Sequence, residues 1–247
     1  MTKSSATRLL RNFILGALAA LCLLIAAIRV QQYVLRFRSE RLLREVRALD
    51  LGQATFADAQ YIFRRWPTTP DADPCVPAHC DFEIRLSDLS YSHLGFWANH
   101  PQLQRAYDSL GGRPATVTAR VLIHDGLIWG KFFRVEVDVF PQETDLFGPY
   151  GYGLIASAST WQASDTRVWQ TRTLHPDYWI GQPSGCEICV AVYTGFTPFA
   201  NRSDIQRMMQ FDLSCLTRWR SPCRTQGDIM PAAWKQAQDE KAAGPTR

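Results

Sequence analysis

The stretch Ala115-Thr-Val-Thr-Ala-Arg-Val-Leu-Ile-His-Asp125-Gly126-Leu-Ile-Trp-Gly-Lys-Phe-Phe133-Arg-Val-Glu-Val-Asp-Val139 decides the fold class. Asp125-Gly126 suits a two-residue type I′ turn, because both central positions of that turn need positive φ. Before the turn, Ala115–Ile123 is rich in β-branched residues. After it, Phe133, Val135, Val137 and Val139 alternate with Arg134, Glu136 and Asp138. Alternation with period two marks an antiparallel strand with one buried and one wet face.

Further strands flank this hairpin. Phe82, Ile84 and Leu86 alternate with Glu83 and Arg85 over Asp81–Leu86. Tyr152–Trp161, Thr166–Leu174 and Glu187–Thr194 also read as strands. Thr68–Pro77 is rich in Pro and Asp and reads as a loop. Thr55-Phe-Ala-Asp58 is a capping box, in which each side chain accepts an otherwise orphan backbone N–H. It opens a helix with Phe56, Ala59, Ile62, Phe63 and Trp66 on one face, ended by Pro67. Pro101–Leu110 reads as a short helix stopped by Gly111-Gly112. A second capping box, Ser203-Asp-Ile-Gln206, predicts a C-terminal helix. Ile205, Met208, Met209, Leu213, Leu216 and Trp219 carry it forward, with Asp212 interrupting the apolar face. Pro231–Gln236 adds one more turn, and 237–247 reads as a flexible tail. The expectation is an α+β domain over 53–236: a meander of about five to six antiparallel strands, packed by an N-terminal and a C-terminal helix.

Ahead of that domain lies Phe13-Ile-Leu-Gly-Ala-Leu-Ala-Ala-Leu-Cys-Leu-Leu-Ile-Ala-Ala-Ile28, without a charge or a proline. As a helix it covers about 24 Å of a hydrocarbon core about 30 Å thick. Leu9, Leu10, Val30, Tyr33 and Val34 extend it, so 13–34 reads as a transmembrane helix after a short tail, 1–12. A cleaved secretory signal is the competing reading, but the run leaves through Arg29-Val-Gln-Gln rather than a small-residue cleavage site. Residues 35–52 continue without Pro or Gly until Gly52, a C-cap candidate. Leu35, Leu42, Val46 and Leu49 line one face of this basic stalk, which reads as a solvated or self-pairing helix.

Charge divides along the same boundary. Residues 1–50 carry nine Lys/Arg against Glu40, Glu45 and Asp50, a net +6; residues 51–247 carry a net −2. A nucleic-acid partner would need the basic patch on the domain, so that class is set aside. Arg29, Arg36, Arg38, Arg41, Arg44 and Arg47 form a membrane-proximal basic segment, and the lipid bilayer is the expected partner. By the positive-inside rule, this flank argues for a cytoplasmic domain. The cysteines argue for an exported one. Cys75/Cys80, Cys186/Cys189 and Cys215/Cys223 are close pairs suited to disulfides, which need an oxidising compartment.

Catalytic signatures are weak. Cys75-x4-Cys80 with Cys186-x2-Cys189 could supply thiolates to zinc, but the spacing is not that of paired knuckles and a third pair is left over. Cys186-Glu-Ile-Cys189 lacks the helix N-terminus of a redox CxxC. Gly181-Gln-Pro-Ser-Gly185 has the wrong spacing for a nucleophile elbow. Gly148-Pro-Tyr-Gly-Tyr-Gly153 lacks the lysine of a phosphate loop. Its Tyr150, Gly151, Tyr152 and Gly153 stand as a candidate binding loop. Glu136 and Asp138 share a strand face, with Arg134 beside them. The five histidines are dispersed. Trp129, Trp161, Trp169 and Trp179 invite a sugar-binding reading but suit a sheet core better. No cofactor is expected.

In outline the chain resembles a type IV pilin or pseudopilin, although Asn12 and Ala17 stand where that family has Gly and Glu. Leu49-Asp-Leu-Gly-x-x-Thr-Phe-x-Asp58, Phe211-Asp-Leu-Ser-Cys-Leu216, Cys223 and Met230-Pro-Ala-Ala-Trp234 are similar to segments of bacterial single-pass envelope proteins of unknown function. That resemblance implies a shared fold and a membrane location, and no activity. The expectation is a membrane-anchored binding or assembly domain that could engage another envelope protein. An envelope enzyme, thiol-redox or hydrolytic, and a pseudopilin-like subunit are the alternatives.

Overall fold

The computed structural model describes residues 3–66, 68–70, 75–88, 100–139, 152–161, 177–181, 189–196 and 202–243. In chain order the helices and strands are α1 (Lys3–Arg47), α2 (Phe56–Arg65), β1 (Thr68–Pro70), β2 (His79–Ser87), α3 (Pro101–Ser109), β3 (Ala115–His124), β4 (Leu127–Val139), β5 (Tyr152–Trp161), β6 (Asp177–Gly181), β7 (Cys189–Phe196), α4 (Arg202–Met208) and α5 (Pro231–Ala243). Two single turns of 3-10 helix, Ser214–Leu216 and Gln226–Asp228, lie between α4 and α5.

The hairpin forms as its sequence requires. Asp125 has φ 51° and Gly126 φ 78°, and His124 pairs directly with Leu127. A bulge at Leu122/Ile123 shifts the alternation, so Ile128 and Phe133 are both buried although they differ in parity. Around the hairpin the strands form one sheet in the order β1-β2-β3-β4-β5-β7-β6. The fold is therefore α+β, but the described sheet has seven strands rather than five to six. β1 to β5 make an antiparallel meander; β7 joins β5 in parallel and β6 closes the edge antiparallel to it. A parallel neighbour needs a long crossover, and alternation alone does not reveal direction. β1 corrects the loop expected from Thr68: Pro70 is tolerated there because the strand is at the edge. The strand expected at 166–174 lies outside the described residues.

One sheet face is the core. Ile84, Ala119, Phe133, Ala158 and Thr194 form one row across five strands, and Leu86, Val117, Val135, Ala156 and Val192 the next. Every one of them is buried. The opposite face is polar, as the alternation predicts, but it is less open than a solvated face: Thr116, Thr118, Ser157 and Ser159 are also buried.

The second half of α1 packs into this core. Leu35, Leu42, Leu43, Val46 and Leu49 join one cluster with Ile84, Val117 and Phe133. The segment expected to be a free stalk is thus a core helix of the domain. Burial starts at Ile28 and includes Gln32 and Ser39. Lys131 of β4 ties down the end of the helix by donating to the carbonyls of Arg47 (3.0 Å) and Leu49 (2.6 Å). A cation there also suits the negative end of the helix dipole. Gly52, at φ 70°, is not the cap of α1, which ends five residues earlier; it turns the chain so that its N–H reaches Ile128 O at 2.9 Å.

α2 has the expected capping box, with Thr55 N–H donating to Asp58 Oδ2 at 2.8 Å. Ala59, Ile62, Phe63 and Trp66 are buried as predicted. The C-terminal helix does not run to Trp219. α4 starts one residue before Ser203, so Ser203 is not its cap, and it ends at Met208. Asp212 then competes with helix formation: its Oδ1 accepts from Ser214 N at 2.8 Å, and its own N–H donates to Ile229 O at 2.8 Å. Thr225-Gln-Gly-Asp228 is the capping box the sequence reading missed. α5 runs past Gln236 to Ala243, with Ala233 and Ala237 buried one turn apart.

Candidate functional site

The predicted residues fall in different places. Cys75–Cys80 and Cys215–Cys223 are disulfides, one fastening the start of β2 to the segment before it and the other running from the first 3-10 turn to the loop after it. Cys186 lies outside the described residues, and Cys189 opens β7. Tyr150 and Gly151 also lie outside them. Tyr152 and Gly153 belong to β5, so half of the candidate loop is strand; Gly153 pairs with Asp138 on one side and Cys189 on the other. Among the described residues no group of three or more His, Cys, Asp or Glu could hold a metal ion.

Four of the six arginines of the basic segment, Arg29, Arg36, Arg38 and Arg47, contact residues beyond α1, and Arg38 and Arg44 are exposed. Arg29 donates to the carbonyl of Thr217 and stacks on Trp219, its guanidinium carbon 5.4 Å from the ring centre. Arg36 reaches Thr217 Oγ1 at 2.9 Å and Glu40 at 2.7 Å. Arg38 stacks on Trp66 at 5.8 Å. Arg41 pairs with Glu45 at 2.9 Å, which also accepts from Trp66 Nε1 at 2.8 Å. Arg47 stacks on Phe211, and burial, with Arg44 nearby, holds its guanidinium below the usual arginine range. These contacts fasten α1 to the domain.

Where α1 leaves the apolar run, a polar lock joins it to one end of the sheet. Gln32 Nε2 faces Asp88 Oδ2 (3.3 Å), Tyr107 Oη (3.2 Å) and the carbonyl of Arg113 (3.2 Å). Tyr107 donates its hydroxyl to Asp88 at 3.0 Å. Arg113 is buried and paired with Asp108; burial lowers its pKa despite the carboxylate. Gly112 lets this lock close, since a Cβ there would run into the Tyr107 ring.

Beside the lock lies a groove of about 770 Å³ between α1 and the end of β2. Ala27, Val30, Val34 and Leu35 form its helix wall, with Gln31 and Arg38. Arg85, Leu86, Ser87 and Asp88 form the opposite wall. It is mostly apolar, with an arginine on each wall. No motif announces it, because its walls lie far apart in the sequence.

On the polar sheet face, Asp138 is pushed up to about 7 by burial, with Glu136 and Asp88 adding to the rise. Glu136 is paired with Arg134. The two carboxylates flagged in the sequence therefore differ: one is neutralised by a neighbour and the other by its surroundings.

The fold and groove define a class of architecture: an α+β domain mounted on, and partly built from, one long N-terminal helix. No protein-family model, curated protein or solved structure matches the chain.

Proposed function

We propose that α1 crosses a lipid bilayer through Phe13–Ile28 and holds the domain on the membrane surface, on the oxidising side, as a binding or assembly module. One observation carries this reading: a single helix exposes large apolar side chains in its first half and buries them in its second. Phe13 is 75% exposed and Leu23 72%, whereas Leu42 and Val46 are fully buried. A soluble chain rarely leaves such a surface open to water, and a bilayer covers it without further structure. The helix is long and apolar enough to span. The two disulfides support an exported domain. The arginines weigh less against export once their partners are known, because four of the six, Arg29, Arg36, Arg38 and Arg47, contact residues beyond α1.

Two measurements on intact cells test this reading. Alkaline carbonate washing should leave the chain in the membrane pellet. A membrane-impermeant maleimide should label Cys215 and Cys223 in unlysed cells only after reduction. Release by carbonate would remove the anchor; thiols that react only after lysis would put the domain in the cytoplasm.

A further inference from the structure

We propose that His79 and His124 form an open two-imidazole site for one divalent late transition-metal ion, with Cu(II) held most tightly. Imidazole nitrogen suits copper, nickel and zinc, and Cu(II) stands at the top of that order. Two donors leave coordination positions for water. The site therefore differs from a closed cluster of three or more groups, of which the described residues have none. The inference does not depend on α1 crossing the membrane.

Three features make a site of this pair. The first is register. His79 opens β2 and stands directly opposite His124, the last residue of β3. Their neighbours Cys80 and Ile123 are buried in the core, so both imidazoles leave the sheet on its other face. The ring centres are 6.3 Å apart. A metal ion bound at a ring nitrogen lies about 3.2 Å from that ring's centre, so two rings can share one ion at separations up to about 6.4 Å. A narrower ligand angle brings the centres to about 4.5–5.5 Å, the spacing that Cβ atoms of opposite residues already have. Both residues are exposed, so the rings turn to that spacing without unpacking the core.

The second feature is orientation. His124 Nδ1 lies 3.0 Å from Asp125 Oδ2. A carboxylate there keeps the proton of a neutral ring on Nδ1 and leaves the Nε2 lone pair for a metal. The third is a fixed backbone. Val76 and His79 exchange both backbone hydrogen bonds, at 3.2 and 3.1 Å, and Cys75–Cys80 closes the turn around them. Asp125 N–H donates to the carbonyl of Ala78 at 2.8 Å and joins that turn to the β3–β4 turn. An ion therefore has only two side chains to order. The site also lies away from the lock: Asp88 meets Gln32 beyond one end of β2, and His79 stands at the other, about 30 Å along the strand. In the sequence these are two of five scattered histidines, and only the pairing of β2 with β3 makes them neighbours.

The test uses the full chain in detergent, stripped of metal with a chelator and carrying Cys22→Ala so that this thiol cannot reduce copper. CuCl2 is titrated in at neutral pH and followed by electron paramagnetic resonance and tryptophan fluorescence. One Cu(II) should bind per chain, with splitting from two nitrogen donors, and ZnCl2 should compete only in excess. His79→Gln and His124→Gln should each weaken binding about 100-fold or more, since one of two linked donors is lost. Asp125→Gly keeps the turn, because glycine accepts its positive φ, and should weaken binding about 10-fold. Trp129, whose ring centre is 6.4 Å from that of His124, should be quenched by the bound ion. Trp129→Phe should remove that part of the quench and leave the affinity unchanged. Thermal unfolding without metal reports whether each variant folds, and the Trp129 quench keeps the test readable if a histidine variant does not. Absence of bound copper, unchanged affinity in either histidine variant, or an equal loss in His100→Gln would overturn the proposal. So would a copper-dependent dimer, because the ion would then lie between two chains.

Discussion

The two halves of α1 are one continuous helix with two kinds of surface. In the first half, Phe13, Leu15, Leu18, Leu23 and Leu24 are all exposed. In the second half, Leu35, Leu42, Leu43, Val46 and Leu49 are buried on the sheet while Phe37 stays exposed. The difference is in pattern rather than content. The first half is apolar all round, as a helix in lipid must be; the second has one apolar stripe, as a helix on a sheet has. Gln32 marks the join. Its side chain is fully buried, yet it is held by Asp88, Tyr107 and Arg113 rather than by other apolar groups.

The largest effect should separate the halves outright. Leu42→Ala leaves a cavity between helix and sheet and should cost about 2–5 kcal/mol of domain stability. Leu18→Ala should cost the domain nothing measurable. Thermal unfolding of both full-length variants in detergent makes the comparison, and equal losses would break it. At the join, Gly112→Ala forces the Tyr107 ring away from Asp88 and should cost about 1–3 kcal/mol. Denaturant melts should show that loss, and restoring Tyr107→Ala beside it should recover part of it.

Asp138 tests the sheet end beyond the join by pH. Its folded-state pKa, about 7, lies above that of an unfolded carboxyl. Between about pH 4 and 7 the folded state keeps a proton that the unfolded state has released. Stability should fall as pH rises through that window and stay low above it. Asp138→Asn should remove the dependence and raise stability at pH 8 by about 1–2 kcal/mol, with little change at pH 4. A melting temperature that rises from pH 5 to 7 in the unsubstituted chain would contradict this. The smallest effect belongs to Arg36→Gln. Its pair with Glu40 is partly exposed, so the expected loss is about 0.5 kcal/mol, and less in high salt.

Local chemistry made part of this structure readable in advance. The Asp125-Gly126 turn, the Thr55–Asp58 box and the Cys75/Cys80 and Cys215/Cys223 pairs each depend on residues a few positions apart. The stripe of Leu35, Leu42, Val46 and Leu49 was visible too, but its partner was not, since a stripe says that a helix face is buried and not against what. Gln32 and Ser39 disguised the depth of burial, because polar residues there read as a wet face. The C-terminal helix misled for a related reason: Met209, Leu213 and Leu216 are buried as expected, but Asp212 bonds to Ser214 and Ile229 across a break. The groove was invisible because Val34 and Leu86 meet only after α1 docks on β2. The charge of Arg38 and Arg47 is legible in sequence, but the Trp66 and Phe211 rings they stack on are not.

The central claim is that α1 is a membrane helix below Ile28 and a core helix above it. A nitroxide scan along α1, one cysteine at a time in the full chain reconstituted in liposomes with Cys22→Ala, tests it most directly. Collisions with oxygen should be high at every position from 13 to 24. From 30 to 49 accessibility should oscillate with the helical repeat, with labels at 35, 42 and 46 immobile and shielded from both oxygen and water-soluble relaxant, and labels at 37 and 44 open to the relaxant. Uniform water exposure from 35 to 49 would mean a free stalk and would contradict the account.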